Sequence, residues 1–496
     1  MQNYQKLENQ SKRISRIGHA QTFLSWDQSV MMPPGGAESR AESMAELSLL
    51  MHELITAPQM REWFDGAQSE TLQADQLANL REMNRKWKQA TCIPAELVEA
   101  QSLAASKCEH AWRTQRKAND WKGFLPNFEA VVKLAREEAA ARLNASEGQF
   151  TTPYEAMLDL YAEGDTEAFI AKAFAGLKQT LPELVQAIQE RQKRLPAVSL
   201  TGHYPAEAQK KLSLKVMEVL GFNFDRGRLD VSTHPFSTGV HGDHRITTRF
   251  DESEFVQALM ATVHETGHAS YEAHLPAAWK EQPVGRARSM SLHESQSLLF
   301  EKQIFLSEPF IEFLTPEIHR HFPGVANLNA QTLLSALKVV EPGYIRVHAD
   351  EVTYPLHVIL RYEIESALIN GHLEPKDMPD AWNEKMQHYL GLSTEGNYKD
   401  GCMQDIHWPS GSFGYFPSYT LGALNAAQIF AALQRAKPDL DSALRRGDLK
   451  PIRAWLQSHI WSKGSFLSSP DLMRQATGET TNAEHFIRHI QKRYLD

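Results

Sequence analysis

His264-Glu265-Thr266-Gly267-His268 restricts the backbone around it more than any other stretch of this 496-residue chain. On a helix, histidines four positions apart are rotated by only about 40°, so both imidazoles reach one ion from the same face. Neutral imidazole suits zinc, which takes nitrogen ligands at about 2.0–2.1 Å. Glu265 leaves the same helix beside the first histidine and can reach a metal-bound water without ligating the ion. Such a water has its pKa lowered toward about 7, and a neighbouring carboxylate takes its proton as it attacks a carbonyl. Ser253 is placed to cap the helix, and Phe255, Val256, Leu259, Met260 and Val263 give it an apolar face. Among 21 histidines a five-residue match also arises by chance, as two solvated histidines on a helix surface. The helical context, the apolar face and Gly267 favour a packed, functional site.

A catalytic zinc needs a third protein ligand and an open fourth position. The segment Ser289 to Ser297 opens another helix and offers two candidates, His293 and Glu294. Ser291-x-x-Glu294 also reads as a capping box, which would make Glu294 a helix-end residue. A His₂Glu ligand set, with the glutamate on a second helix about 25 residues beyond the first motif, favours Glu294.

The rest of the chain reads mostly as helix, clearest at Asp75 to Lys88, Trp121 to Leu143 and Glu167 to Lys193. Breaks fall at Met32-Pro33-Pro34-Gly35-Gly36, Ile93-Pro94, Thr152-Pro153, Leu195-Pro196, Glu341-Pro342-Gly343 and Trp408-Pro409-Ser410-Gly411. Val231 to Phe250 departs from this pattern and predicts a small hairpin or sheet just before the motif helix. The fold class is therefore mostly α, a single large helical domain with a minor β element beside the site. A net charge of −9 argues against a broad nucleic-acid surface. No stretch has the apolar length of a membrane span, and no leader pattern opens the chain. Cys92, Cys108 and Cys402 are too few and too scattered for a disulfide framework, which points to a reducing cytoplasm.

Further elements, taken in order, resemble one family, the M32 metallocarboxypeptidases typified by the Taq enzyme. His234-Pro235-Phe236 is similar to its HPF element, and Asp243 to Thr247 to its DxRxT element. His264 to His268 supplies HExxH, and His293-Glu294-Ser295-Gln296 the HES(G/Q) element. Ile345 to Asp350 resembles IRxxAD, and Gly401 to Trp408 resembles GxxQDxHW; Trp26-Asp27 followed by Met32 to Ala37 is similar too. The resemblance runs almost the full length. It implies one peptidase domain over 1–496, with an N-terminal helical part of about 1–230 and a zinc-site part of about 231–430. It also implies a deep groove as in neurolysin and angiotensin-converting enzyme, one Zn²⁺ per chain (Co²⁺ or Mn²⁺ as substitutes) and a homodimer. The implied activity is removal of single residues from peptides with a free C-terminus, with broad side-chain tolerance and poor action on proline.

Residue roles follow from that activity. Arginine grips a carboxylate through a planar fork, so Arg346 and Arg245 are the candidates for the substrate's α-carboxylate, Arg346 foremost. An Arg346–Asp350 salt bridge is the bland alternative. Asp350 is otherwise a candidate to orient a zinc histidine. His234 and the Asp243–Thr247 element are expected to wall off one end of the groove. In the loop His407 to Tyr419, His407 and Tyr419 are expected to steady the oxyanion, with Tyr415 the alternative tyrosine and aromatic packing the bland reading. The rivals are an endopeptidase or dipeptidyl carboxypeptidase on the same fold, and a peptide-binding protein with a purely structural zinc.

Overall fold

The strongest helical stretches form helices for reasons their ends make plain. The computed structural model describes all residues except 1, 195–197, 199, 201 and 326–327, so the expected Leu195-Pro196 break lies outside the described residues. Helices run over Ala74–Thr91, Trp121–Ala145 and Glu167–Gln192. Asp120 and Thr166 cap the last two through their side chains, accepting from Gly123 N and Phe169 N. Thr152 accepts from Glu155 N in the same way, with Pro153 at the first helical position, where a missing N–H costs nothing.

Two expected caps are corrected. The motif helix spans Val256–Ala273 with Phe255 before it, and Ser253 does not cap it. Ser253 instead donates its N–H and hydroxyl to Asp251 Oδ1, a charged acceptor two residues away that draws it into a turn. The following site helix spans Met290–Leu298 and is capped by Ser289, which accepts from Leu292 N. Glu294 therefore lies inside that helix, and the Ser291 capping box does not form.

The β element is a three-stranded sheet: β1 (Gly227–Val231), β2 (Phe236–Val240) and β3 (Asp243–Thr248), in the order β1-β3-β2. β2 and β3 form the expected hairpin, pairing Thr238 with Arg245, while β1 lies parallel to β3 and starts before the expected segment. Leu229 and Ile246 pack with Met217 and Ala269, which seats the sheet against the motif helix.

Two large apolar cores hold the molecule. One gathers Phe128, Phe174, Ile359, Trp382 and Trp408; the other gathers Leu259, Phe300, Ile318, Leu456 and Trp461. The helix Pro417–Ala436 contributes Leu421 and Leu424 to the first core and Ile429 and Leu433 to the second, so it ties them together. A groove of about 1060 Å³ runs beside the motif helix, walled on one side by Ile14, Ser15, Gly18 and Met51 of the N-terminal helices. That wall is fastened by polar contacts: Arg16 Nε to Glu281 (2.7 Å), Gln282 Nε2 to the Glu8 carbonyl (3.0 Å) and Asn79 Nδ2 to Gln282 Oε1 (3.0 Å). Among the described residues no helix is long and apolar enough to cross a membrane.

Candidate active site

Three helices meet at the groove floor, and two glycines set how closely. A Cβ on Gly267 would stand 2.5 Å from the Gln296 carbonyl and 2.6 Å from Ser297 Cα, so the motif helix crosses Met290–Leu298 backbone to backbone. A Cβ on Gly422 would stand 2.7 Å from Cβ and Cγ of Glu294, so Pro417–Ala436 presses on the same helix from its other side. Glu294 is thereby pushed against the motif histidines. Its Oε2 lies 3.7 Å from His264 Nε2 and 3.4 Å from His268 Nε2.

The other ring nitrogens are engaged from behind. His264 Nδ1 donates to Glu301 Oε2 at 2.8 Å, and Glu301 is held by Lys302 Nζ at 2.7 Å. His268 Nδ1 lies 2.6 Å from His293 Nδ1, and His293 Nε2 lies 2.8 Å from Glu272 Oε1. With a proton on His268 Nδ1 and another on His293 Nε2, this chain runs to Glu272 and leaves the His268 Nε2 lone pair toward Glu294. Burial alone would depress the His264 imidazole, but Glu294 and Glu301 outweigh it and carry it up to about 10. For His268 burial dominates and pushes the ring down to about 4. Glu294, opposed by burial, is held at about 2 by the two rings.

Glu265 points into the groove and makes no hydrogen bond among the described residues. It is 8% exposed, and burial pushes its carboxyl up to about 7. A carboxyl kept neutral or ionised by small changes around it, in a cleft and unbonded, is what proton transfer needs. Facing it across the groove are Tyr415 and Tyr419. Behind Tyr419 stands His407, its Nε2 3.3 Å from the Tyr419 hydroxyl and its ring against Phe416. Burial, then Arg346, pushes His407 down to about 4, so the ring is neutral at pH 7.

The sequence profile of the carboxypeptidase Taq (M32) metallopeptidases matches residues 6–494. The chain is 36% identical to thermostable carboxypeptidase 1 of Thermus thermophilus over 99% of its own length and 98% of the relative's. It is 35% identical to the Pyrococcus furiosus protein of the same name, covering 98% and 97%. Among solved structures it superposes on Trypanosoma cruzi metallocarboxypeptidase 1 with a TM-score of 0.97 at 43% identity, covering 100% and 99%. This chain belongs to the M32 family. It is accordingly a metal-dependent carboxypeptidase with the family's mostly helical fold.

The donors of this M32 chain fit a divalent ion. His264, His268 and Glu294 offer atoms within 4.8 Å of one another. Their closer separations approach the edge of about 3.3 Å expected of tetrahedral ligands at 2.0–2.1 Å. His293 has both ring nitrogens engaged, whereas Glu294 is the carboxylate grouped with the two motif histidines. Other expected residues sit elsewhere. Arg346, 6% exposed, donates Nε to Asp405 Oδ1 at 3.0 Å and Nη1 to the Tyr354 hydroxyl at 3.0 Å, with its guanidinium 5.1 Å from the centre of the Tyr419 ring. It does not pair with Asp350, whose oxygens accept instead from the N–H groups of Glu341, Val352 and Thr353; a local turn consumes that carboxylate, and it is Glu301 that orients His264. Arg245 pairs with Asp243 and stacks 4.1 Å from Trp26, joining the sheet to the N-terminal helix Asn3–Val30. His234 is exposed, while its neighbours Pro235, Phe236 and Ser237 line the groove. Glu301, Glu272 and the groove-lining Lys86 were not singled out by sequence; Glu272 and Lys86 sit in ordinary α-helices and Glu301 in the π-helical stretch Leu299–Phe305, and only the fold brings them to the site.

Proposed function

We propose that this M32 chain is a zinc carboxypeptidase releasing single residues from peptide C-termini, with broad side-chain tolerance and poor action on proline. The observation that carries the reading is the unbonded, buried Glu265 carboxyl opening on the groove beside three donors with a free side. His264, His268 and Glu294 hold the ion, and the His₂Glu set favours zinc. When bound, zinc supplies Lewis-acid polarisation of the scissile carbonyl. Glu265 takes a proton from the attacking water as its oxygen bonds the carbonyl carbon, then passes it to the departing amine as the C–N bond breaks. The Tyr419 hydroxyl, oriented by neutral His407, donates to the carbonyl oxygen as charge develops there, with Tyr415 beside it.

Exopeptidase action requires a receiver for the terminal carboxylate, and Arg346 is the proposed one. It stands directly behind Tyr419, with Nε and Nη2 on Asp405 Oδ1 and Nη1 on the Tyr354 hydroxyl, so an incoming carboxylate would take the N–H groups that these partners leave over. The Tyr419 ring must swing off the guanidinium for the carboxylate to reach it. Arg245 and His234, on the sheet side, belong to the groove's closing wall, and Asp350 to the turn that carries Arg346. A cytoplasmic homodimer is the proposed working form, on the family resemblance alone. The test is a mass-spectrometric product ladder from one defined peptide and its C-terminal amide, run with the native chain and with Arg346→Ala. Single-residue steps from the free acid only are expected. Arg346→Ala should lose most of kcat/KM on the acid, and amidation should cost the variant little more, because both changes remove one contact. Internal fragments or dipeptide steps would favour the endopeptidase or dipeptidyl reading, and additive losses would move the carboxylate off Arg346.

A further inference from the structure

On another face, a cavity of about 430 Å³ opens between the helices Pro417–Ala436 and Glu484–Tyr494. Lys338, Arg435, Arg445, Arg488, Lys492 and Arg493 line it, against only two carboxylates, Glu308 and Asp441. Such a concentration of cations runs against the charge of the chain, which is −9 overall. Three of the six are occupied: Arg445 by Glu312 at 2.8 Å, Arg493 by Glu351 at 2.8 Å, and Arg435 by the Thr477 carbonyl at 3.3 Å. Lys338, Arg488 and Lys492 make no ion pair and no hydrogen bond among the described residues. Lys338 is half-buried, and its burial and then the neighbouring Arg493 charge push its ammonium pKa down against the opposing pull of Glu308 and Glu351. A desolvated ammonium beside a guanidinium, with free cations across the same cavity, is an unfavourable arrangement that a bound anion would relieve.

We propose that this cavity binds a small multivalent anion, a phosphate ester or a polycarboxylate, through Lys338, Arg488 and Lys492. Three unpaired cations match a ligand carrying two or more negative charges, and the volume falls in the range of small-molecule sites. An extended polyanion is disfavoured, because the acidic remainder of the chain repels it. The test is isothermal titration of the native chain with tripolyphosphate and, separately, with citrate, against sodium chloride at matched ionic strength. One saturable site is expected, tighter for whichever of the two chemistries the site prefers. Arg488→Ala and Lys492→Ala alter exposed side chains outside the catalytic machinery, so unchanged peptide hydrolysis certifies their fold. Each should weaken binding by about tenfold or more, the usual worth of a hydrogen bond to a charged group. Absence of a saturable site at millimolar anion, equal affinity in the variants, or an equal response to chloride would each overturn the proposal.

Discussion

Glu294 and His293 are adjacent in sequence yet face different partners: Glu294 Oε2 looks at two imidazole nitrogens, while His293 lies between His268 and Glu272. Removing an outer partner of a ligating histidine typically costs 10–100-fold in metal affinity. His293→Ala should therefore weaken the ion by about 10–100-fold, and Glu294→Gln by more, since it removes a donor outright. Competition against a chelator measures both, and the reverse ranking would make His293 the ligand. At this scale the sequence exposed most of the donors, because HExxH fixes two of them by helix geometry alone. It left Glu294 ambiguous, since a serine three residues before a glutamate also writes a capping box. Glu301 stayed hidden for another reason. It lies 37 residues from His264, in a π-helical stretch, Leu299–Phe305, whose altered phase no helical periodicity anticipates.

The helices around the site are spaced by glycine. Glycine inside a helix ordinarily costs about 1 kcal/mol relative to alanine, so Gly→Ala is usually stabilising there. At Gly267 and Gly422 the expectation inverts, because the added methyl meets backbone and the Glu294 side chain at 2.5–2.9 Å. Gly267→Ala and Gly422→Ala should each destabilise by about 1–3 kcal/mol and weaken metal binding as the Glu294 helix is displaced. Thermal melts with and without metal check this; a rise in melting temperature with affinity intact would contradict the close crossing. Long helices with side-chain caps were legible from sequence, as at Asp120 and Thr166. Short-range competition was not, as where Asp251 captures Ser253 and the Glu254 carboxylate accepts from Gln257 N in the first turn of the motif helix instead.

Across the whole molecule the pieces of the groove come from residues far apart in sequence: Arg16 with Glu281, Asn79 with Gln282, Arg245 with Trp26. A single sequence carries no sign of such pairings, so the groove entered the sequence reading only through the family resemblance. The loop bearing His407 and Tyr415 has a similar hidden support. Glu365, fully buried on Tyr354–Ile369, accepts from Trp408 Nε1 at 3.1 Å and from the Tyr154 hydroxyl at 2.5 Å. Burial outweighs these donors and raises its carboxyl from 4.5 to about 7. Its folded pKa lies above the unfolded one, so the fold prefers the protonated form. That advantage is complete below about 4.5 and is lost as pH rises through about 7, a change of about 3 kcal/mol. Glu365→Gln keeps the Trp408 bond through its amide oxygen and can donate its NH₂ to the Tyr154 hydroxyl oxygen, without a charge, so it should gain stability over the native chain between pH 5 and 8. Denaturant melts across that range test this, and a pH-independent difference would remove the buried charge from the account.

The proposed chemistry rests on Glu265 acting on a water while His264, His268 and Glu294 alone hold the ion. Glu265→Gln, assayed for zinc content and peptide turnover on one sample, addresses both halves at once. The variant should retain one zinc per chain and lose at least about 10²-fold in kcat, the usual worth of a positioned proton-transfer group. Zinc lost with the carboxylate would make Glu265 a ligand, and turnover preserved with zinc in place would assign proton transfer to another group.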